Sequence, residues 1–211
     1  MKTPVHLKVE NLGHRFGSQW LFRSVDFEVH SGSSLIIRGK NGSGKSTLLR
    51  LAGQLLQPVE GEITFDPANL HSKINRHFWM GYLSPGMNLY GELSGKENVS
   101  LALETRGIKE SDELSGWMEG VGFTKKDWNK SYKSYSSGMK QRIKFLVSCL
   151  HHPELVLFDE PFSNLDRQGK NWVRSILPQI QNDSIILIAT NEEEDFDLSP
   201  LQLNIDDFQN K

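Results

Sequence analysis

Nine consecutive residues, Gly39-Lys40-Asn41-Gly42-Ser43-Gly44-Lys45-Ser46-Thr47, constrain this chain more than any other segment. They match the pattern G-x-x-x-x-G-K-[ST] in full. The apolar run Leu35-Ile36-Ile37 precedes them, and Leu48, Leu49, Leu51 and Ala52 follow at helical spacing. A strand that turns through glycines into a helix brings several backbone N–H groups to one point. The start of the helix adds its partial positive end, so the segment is built to cradle a phosphate. Lys45 supplies a point charge for the β- and γ-phosphates, and the Ser46 hydroxyl is placed for Mg²⁺. The plain alternative is a glycine-rich turn before a helix, and the strand and helix on either side argue against it.

A phosphate loop of this kind needs a metal-side carboxylate on a neighbouring strand. Leu155-Val156-Leu157-Phe158-Asp159-Glu160-Pro161 offers one. Asp159, ending an apolar run, can hold Mg²⁺ directly or through water. Glu160 is then placed to polarise an attacking water as a general base.

The remaining pattern predicts an α/β chain. Val5–Val9 and Val25–Val29 alternate in polarity, with Gly13 and Gly17 near the intervening turn, as in an antiparallel sheet with one wet face. Leu35–Ile37, Leu155–Phe158 and Ile185–Ala189 are instead continuous apolar runs, the mark of parallel strands covered on both sides. Helical patterns span Ser46–Leu56, Gly138–Leu150 and Gln168–Leu177, and Leu201–Ile205 alternates as a late edge strand would. The stretch from Gly86 to Ser134 is rich in Gly, Ser, Lys and Glu. Its short amphipathic pieces, Lys96–Glu104 and Glu110–Glu119, predict a helical insertion between two strands.

The segments between and after the two motifs carry a family resemblance. Tyr135-Ser136-Ser137-Gly138-Met139-Lys140-Gln141-Arg142 resembles a variant of the LSGGQ signature of ATP-binding-cassette (ABC) proteins, followed by their usual Q-R. Ser163-Asn164-Leu165-Asp166 resembles the D-loop, and Glu97-Asn98-Val99 the E-N-[LV] that opens the helical subdomain. Phe16 matches the aromatic that stacks on adenine. The run from Asp159 to Gly169 is similar to that of small haem-exporter or cytochrome c-biogenesis cassettes.

This resemblance implies a P-loop NTPase core with a mostly parallel sheet, an N-terminal antiparallel β subdomain and an inserted helical subdomain. Residues 1–211 would form one ABC ATPase domain, with the antiparallel piece at about 1–35 and 58–70 and the helical insertion at about 86–140. It implies ATP and Mg²⁺ as ligands, bound by Phe16, the loop residues Gly39 to Thr47, and Asp159. It also implies a head-to-tail homodimer or heterodimer, in which Ser136 and Gly138 of one cassette meet the γ-phosphate on the other. Glu160, Lys45 and Asn191 would be catalytic. The implied partner is an integral membrane transporter subunit, with this chain cytoplasmic and peripheral on the inner face of the cell membrane.

Two positions depart from the family pattern. The usual glutamine near Tyr82-Leu83 falls on Pro85, preceded by Ser84, and the usual histidine after the last core strand is Asn191. An asparagine amide donates a hydrogen bond but cannot carry charge or shuttle a proton. ATP binding near normal with slow hydrolysis is therefore expected. A weakly or non-hydrolysing regulatory cassette and a soluble non-transport ABC protein are the alternatives.

Composition agrees with these expectations. With 24 basic and 26 acidic side chains, the net charge of −2 excludes nucleic-acid binding by bulk charge. The longest apolar run, Ile185–Ala189, is far short of the roughly 18 residues of a membrane span. The single cysteine, Cys149, reads as a core filler, as do Trp79, Trp117, Trp128 and Trp172, while Trp20 is a candidate to assist Phe16. The acidic run Glu192–Asp195 reads as a solvated helix cap.

Overall fold

A computed structural model describes residues 4–66, 76–109, 112–193 and 198–209. Residues 67–70 of the expected antiparallel piece, Glu110 of the second amphipathic stretch, and Glu194-Asp195 of the acidic run lie outside the described residues. The first half of the chain forms β1 (His6–Phe16), β2 (Gln19–His30), β3 (Ser34–Arg38), α1 (Lys45–Ala52), β4 (Glu60–Asp66), α2 (Arg76–Trp79), β5 (Met80–Leu83) and α3 (Gly95–Glu104). The second half forms α4 (Asp112–Gly120), α5 (Lys125–Trp128), α6 (Ser137–Cys149), β6 (Leu155–Asp159), α7 (Arg167–Gln181), β7 (Ile185–Ala189) and β8 (Leu201–Asn204).

The strands make two sheets. One is antiparallel in the order β2-β1-β4, and the other is parallel in the order β5-β6-β7-β3-β8. Every residue of β6 and β7 is buried, and their continuous apolar sequence has a direct cause. Alternate side chains enter two separate cores. Leu35, Ile37, Leu155, Leu157, Ile185 and Leu187 face α1 and the antiparallel sheet. Ile36, Val156, Phe158, Ile186 and Ile188 face α6, α7 and the helices of the 95–128 region. A strand covered on both sides has no position left for a polar residue.

The antiparallel sheet has one covered face. Leu7, Val9, Phe22, Val25 and Val29 are buried, while their polar neighbours point outward. The hairpin turn lies at Gly17, with φ of 59°, but Gly13 is inside β1 opposite Glu60 rather than at the turn. A Cβ at Gly13 would stand 3.2 Å from the Trp20 ring and 3.3 Å from Glu60, so the glycine serves a close approach.

The late strand β8 forms the edge of the main sheet, as its alternation predicts, and runs parallel to β3. Two further features differ from the sequence pattern, the end of α1 and the strand that carries Asp159. α1 stops at Ala52, short of Leu56: Gly53 takes the cap position, where a Cβ would stand 2.6 Å from Leu157 and 2.8 Å from Met80, and Gln54 takes a positive φ of 54°. Asp159 does not sit on the strand next to the phosphate loop: β7 lies between β3 and β6. The carboxylate therefore reaches the loop across the end of an intervening strand.

Cys149 is fully buried and burial pushes its thiol up, in keeping with a core filler. Trp79, Trp117 and Trp172 are buried and Trp128 is half-buried. Among the described residues, no helix is long and apolar enough to cross a membrane.

Leu157 is fully buried between α1 and the parallel sheet. Leu157→Ala is expected to destabilise the fold by about 2–5 kcal/mol, because the rigid strand cannot close on the cavity. The midpoint of urea unfolding measures this.

Candidate nucleotide site

The loop between β3 and α1 wraps because its glycines permit it. Gly44, with φ of 107°, has Leu21 packed 2.8 Å from where a Cβ would be. Gly39, with φ of 150°, lies under Ile205 and the Ser43 hydroxyl at 2.7 and 2.8 Å from such a Cβ. Any larger residue at either position would push the loop off its support.

Lys45 folds back over this loop. Its ammonium donates to the carbonyls of Gly39 at 2.8 Å and Lys40 at 3.1 Å, and to Asn191 Oδ1. The Asn191 amide nitrogen in turn donates to Asn41 Oδ1. Burial lowers the pKa of the Lys45 ammonium, while the carboxylates of Glu160, Asp159 and Asp206 oppose that shift. The sequence-predicted pair Lys45 and Asn191 thus meet directly, although they are 146 residues apart.

The Ser46 hydroxyl donates to Asp159 Oδ1 at 2.9 Å. Burial pushes the Asp159 carboxyl up, against the Ser46 hydrogen bond and the charges of Arg50 and Lys45. The two oxygens fit Mg²⁺: adjacent ligands of an octahedral ion with bonds of about 2.0–2.1 Å stand about 2.9 Å apart. A divalent ion there would also favour the ionised form of a carboxylate that is only 4% exposed.

Glu160 leaves the strand in the left-handed region, with φ of 53°. A non-glycine residue holds that conformation at a cost of about 1–3 kcal/mol, and only where its surroundings over-determine it. Here its N–H donates to Ala189 O at 2.9 Å. The Gln141 side-chain amide donates to the carbonyls of Glu160 at 3.2 Å and Pro161 at 2.9 Å. The kink turns the side chain into the cleft, where burial is the first cause of its raised pKa and the nearby Asp159 adds to it.

Lys45, Ser46, Asp159 and Glu160 line a cleft of 480 Å³ that also includes Phe16, Leu21, Thr47 and Pro85, whereas Gly39, Lys40 and Asn191 line a hollow of 500 Å³ that shares Asn41 with it. Phe16 is 61% exposed at the mouth and meets His14 edge-on at 5.1 Å. Trp20 instead carries the Arg23 guanidinium over its ring at 4.4 Å and does not line the cleft. Pro85 lines the cleft and contributes no side-chain donor.

Ser136 and Gly138 lie elsewhere, in a hollow of 420 Å³ shared with Arg142, Asn164 and Asp166. Ser136 caps α6 by accepting from Met139 N at 3.2 Å. A Cβ at Gly138 would come within 2.8 Å of Asn164 O, so glycine lets the segment after β6 touch the helix start. Tyr135, where the family pattern has leucine, is buried and donates to Asp127 O at 2.6 Å. Gly95 makes room for it, since a Cβ there would be 2.2 Å from the phenol oxygen.

Two contacts had no motif to announce them. The Asp206 carboxylate accepts from the Lys40 N–H at 3.2 Å, and Gln209 Nε2 donates to Ser43 O at 3.1 Å. Both residues come from the 3₁₀ turn Ile205–Phe208 and its end, so the carboxyl-terminal segment clamps the phosphate loop. The one signal was the apolar alternation at 201–205, which brings this segment beside β3. Of the acidic run, Glu192 pairs with Lys170 of α7 at 2.5 Å.

A parallel sheet whose β3 ends in this loop, with a buried aspartate at the end of β6, defines a P-loop nucleotide-binding fold. The family model described as ABC transporter matches residues 22–163, and the chain belongs to that family. Ergothioneine transport ATP-binding protein EgtV of Helicobacter pylori (strain G27) is 28% identical over 203 residues, covering 93% of this chain and 95% of that protein. Bacitracin transport ATP-binding protein BcrA of Enterococcus faecalis is 29% identical over 188 residues; the match covers 88% of this chain and 61% of that longer protein. Among solved structures, a dimeric post-hydrolysis state of the ATP-binding cassette MJ0796, bound to ADP and phosphate, shares the fold with a TM-score of 0.75. It is 23% identical, with 89% of each chain covered.

The Tyr135–Gly95 pair allows a double-mutant test. Gly95→Ala is expected to cost about 1–3 kcal/mol by overpacking. The same change in a Tyr135→Leu background, which removes the phenol oxygen, is expected to cost clearly less. Denaturant unfolding of the four proteins measures the difference.

Proposed function

We propose that this chain is the ATP-binding and ATP-hydrolysing subunit of an ABC transporter and energises transport through a separate membrane subunit. One observation carries the reading: Lys45, Ser46, Asp159 and Glu160 converge in a single cleft behind a glycine loop. The names of the relatives, transport ATP-binding proteins for ergothioneine and bacitracin, support the transport role.

In this reading the loop amides from Gly39 to Thr47 wrap the phosphates of ATP. Lys45 exchanges its carbonyl and Asn191 partners for the β- and γ-phosphate oxygens. Ser46 and Asp159 hold Mg²⁺, whose charge offsets that of the phosphates. Phe16 stacks on the adenine at the open mouth of the cleft. Glu160 accepts a proton from the attacking water, and its raised pKa makes it a better base than an ordinary surface glutamate. Asn191 donates a hydrogen bond to the γ-phosphate. Ser136 and Gly138 act from a second cassette, in a homodimer or heterodimer, since within one chain they face a different hollow. The chain works in the cytoplasm on the inner face of the membrane, docked on its integral membrane partner.

Pro85 and Asn191 favour slow turnover. Proline offers no polar side chain to the water or metal, and asparagine takes no charge. Glu160→Gln is expected to lower ATP hydrolysis by about 10²–10⁴-fold with nucleotide affinity kept. Equal rates in the two proteins, measured by phosphate release, would sink the hydrolytic reading and leave a non-hydrolysing cassette.

Glu160 must be ionised to act, and burial raises its folded-state pKa. The acid limb of the rate profile is therefore expected above the ordinary glutamate value of about 4.3, with activity lost as pH falls through it. A pH series of single-turnover rates locates the limb.

A further inference from the structure

We propose that the outer face of the antiparallel sheet carries a site for a divalent transition metal, of the zinc class, built by His6, Glu28 and His30. His6 and His30 stand directly opposite each other on β1 and β2, and Glu28 lies two residues before His30 on the same face. Their strand neighbours Leu7 and Val29 point inward and are buried, so the alternation directs the three side chains outward. The imidazole rings stack at 4.2 Å with 14° between their planes. His6 Nε2 lies 3.6 Å from Glu28 Oε2, outside hydrogen-bond distance, and it is screened from solvent with no hydrogen-bond partner. One donor atom from each residue lies within 4.8 Å of the other two. No other set of three His, Cys, Asp or Glu side chains converges this closely among the described residues.

Two imidazole nitrogens and a carboxylate oxygen suit zinc, nickel or copper better than magnesium or calcium. Zinc with bonds of about 2.0–2.1 Å needs its donors about 3.3 Å apart. The stacked rings hold their in-plane lone pairs nearly parallel, so binding an ion requires an imidazole to turn out of the stack; the His6 and Glu28 side chains are 29% and 52% exposed. The Lys8 ammonium is the opposing charge, 3.9 Å from Glu28, but it is closer to Glu10, at 2.7 Å. Asp66, directly opposite His6 on β4, supplies a further carboxylate on the same face. A bound ion joins the start of β1 to the end of the edge strand β2, just before the chain enters β3. None of these residues lines the nucleotide cleft, so the site stands independently of the reading given above.

Titration calorimetry of the full chain with zinc chloride, without nucleotide and in a non-chelating buffer, tests the site. The wild type is expected to bind one zinc ion per chain with a higher unfolding temperature in its presence. His30→Gln and Glu28→Gln, both on the exposed face of an edge strand, are expected to weaken binding at least tenfold and to lose the thermal shift. Circular dichroism without zinc confirms that both variants fold. Absence of zinc binding in the wild type, or the same affinity in His30→Gln as in the wild type, overturns the proposal.

Discussion

Lys45, which opens α1, and Asp159, which ends β6, are charged groups held largely out of water, 6% and 4% exposed, and β7 separates β6 from the strand that leads into the loop. An isolated buried charge is unfavourable by several kcal/mol, so each must be met by partners whose positions do not drift. The Lys45 ammonium has two loop carbonyls and Asn191, and the Asp159 carboxylate has the Ser46 hydroxyl. The two fully buried faces of the parallel sheet make that stability of position possible. Their apolar cores fix β3, β6 and β7 against one another, so the strand ends present charge in a constant arrangement.

Two adjacent residues of α6 connect this cleft to the rest of the chain. Gln141 donates to the backbone at Glu160 and Pro161, holding the strained turn that aims the candidate base. Arg142 donates to Val121 O at 2.6 Å and to Asp166 at 2.6 Å, joining the helical region to the segment after β6. Through these bonds α6 is tied to both the Glu160 backbone and the Asp166 segment. The Ser136–Gly138 hollow lies at the start of the same helix.

Local features were legible in the sequence wherever their cause lay within a few residues. The phosphate loop could be read because glycine, lysine and serine at fixed spacing determine the backbone turn and its donors. The buried strands could be read because a strand covered on both faces must be apolar throughout. The cap by Ser136 and the capping box at Ser94 and Glu97 are likewise local, each closed between residues three apart. The end of α1 at Ala52 was harder to read, because the side chains that leave room only for glycine at the cap, Leu157 and Met80, come from the sheet. Gly13 departs from the expected turn for a similar reason: its neighbours Trp20 and Glu60 belong to other strands, and no turn forms there.

By itself, the sequence determined the class of fold, the glycine loop between β3 and α1, and the acids Asp159 and Glu160 that the fold brings beside it. These depend on residue type and short-range spacing, which act through local hydrogen bonds and the two- and 3.6-residue periods of strand and helix. Only the tertiary structure decided that β7 separates β3 from β6 and that Asp206 and Gln209 clamp the loop. It also decided that His6 stacks on His30. Each of these brings together residues that the chain keeps from about twenty to more than a hundred positions apart. Pairings of that kind are set by how whole sheets bury their apolar faces, and no local pattern encodes which polar side chains then meet on the surfaces left over.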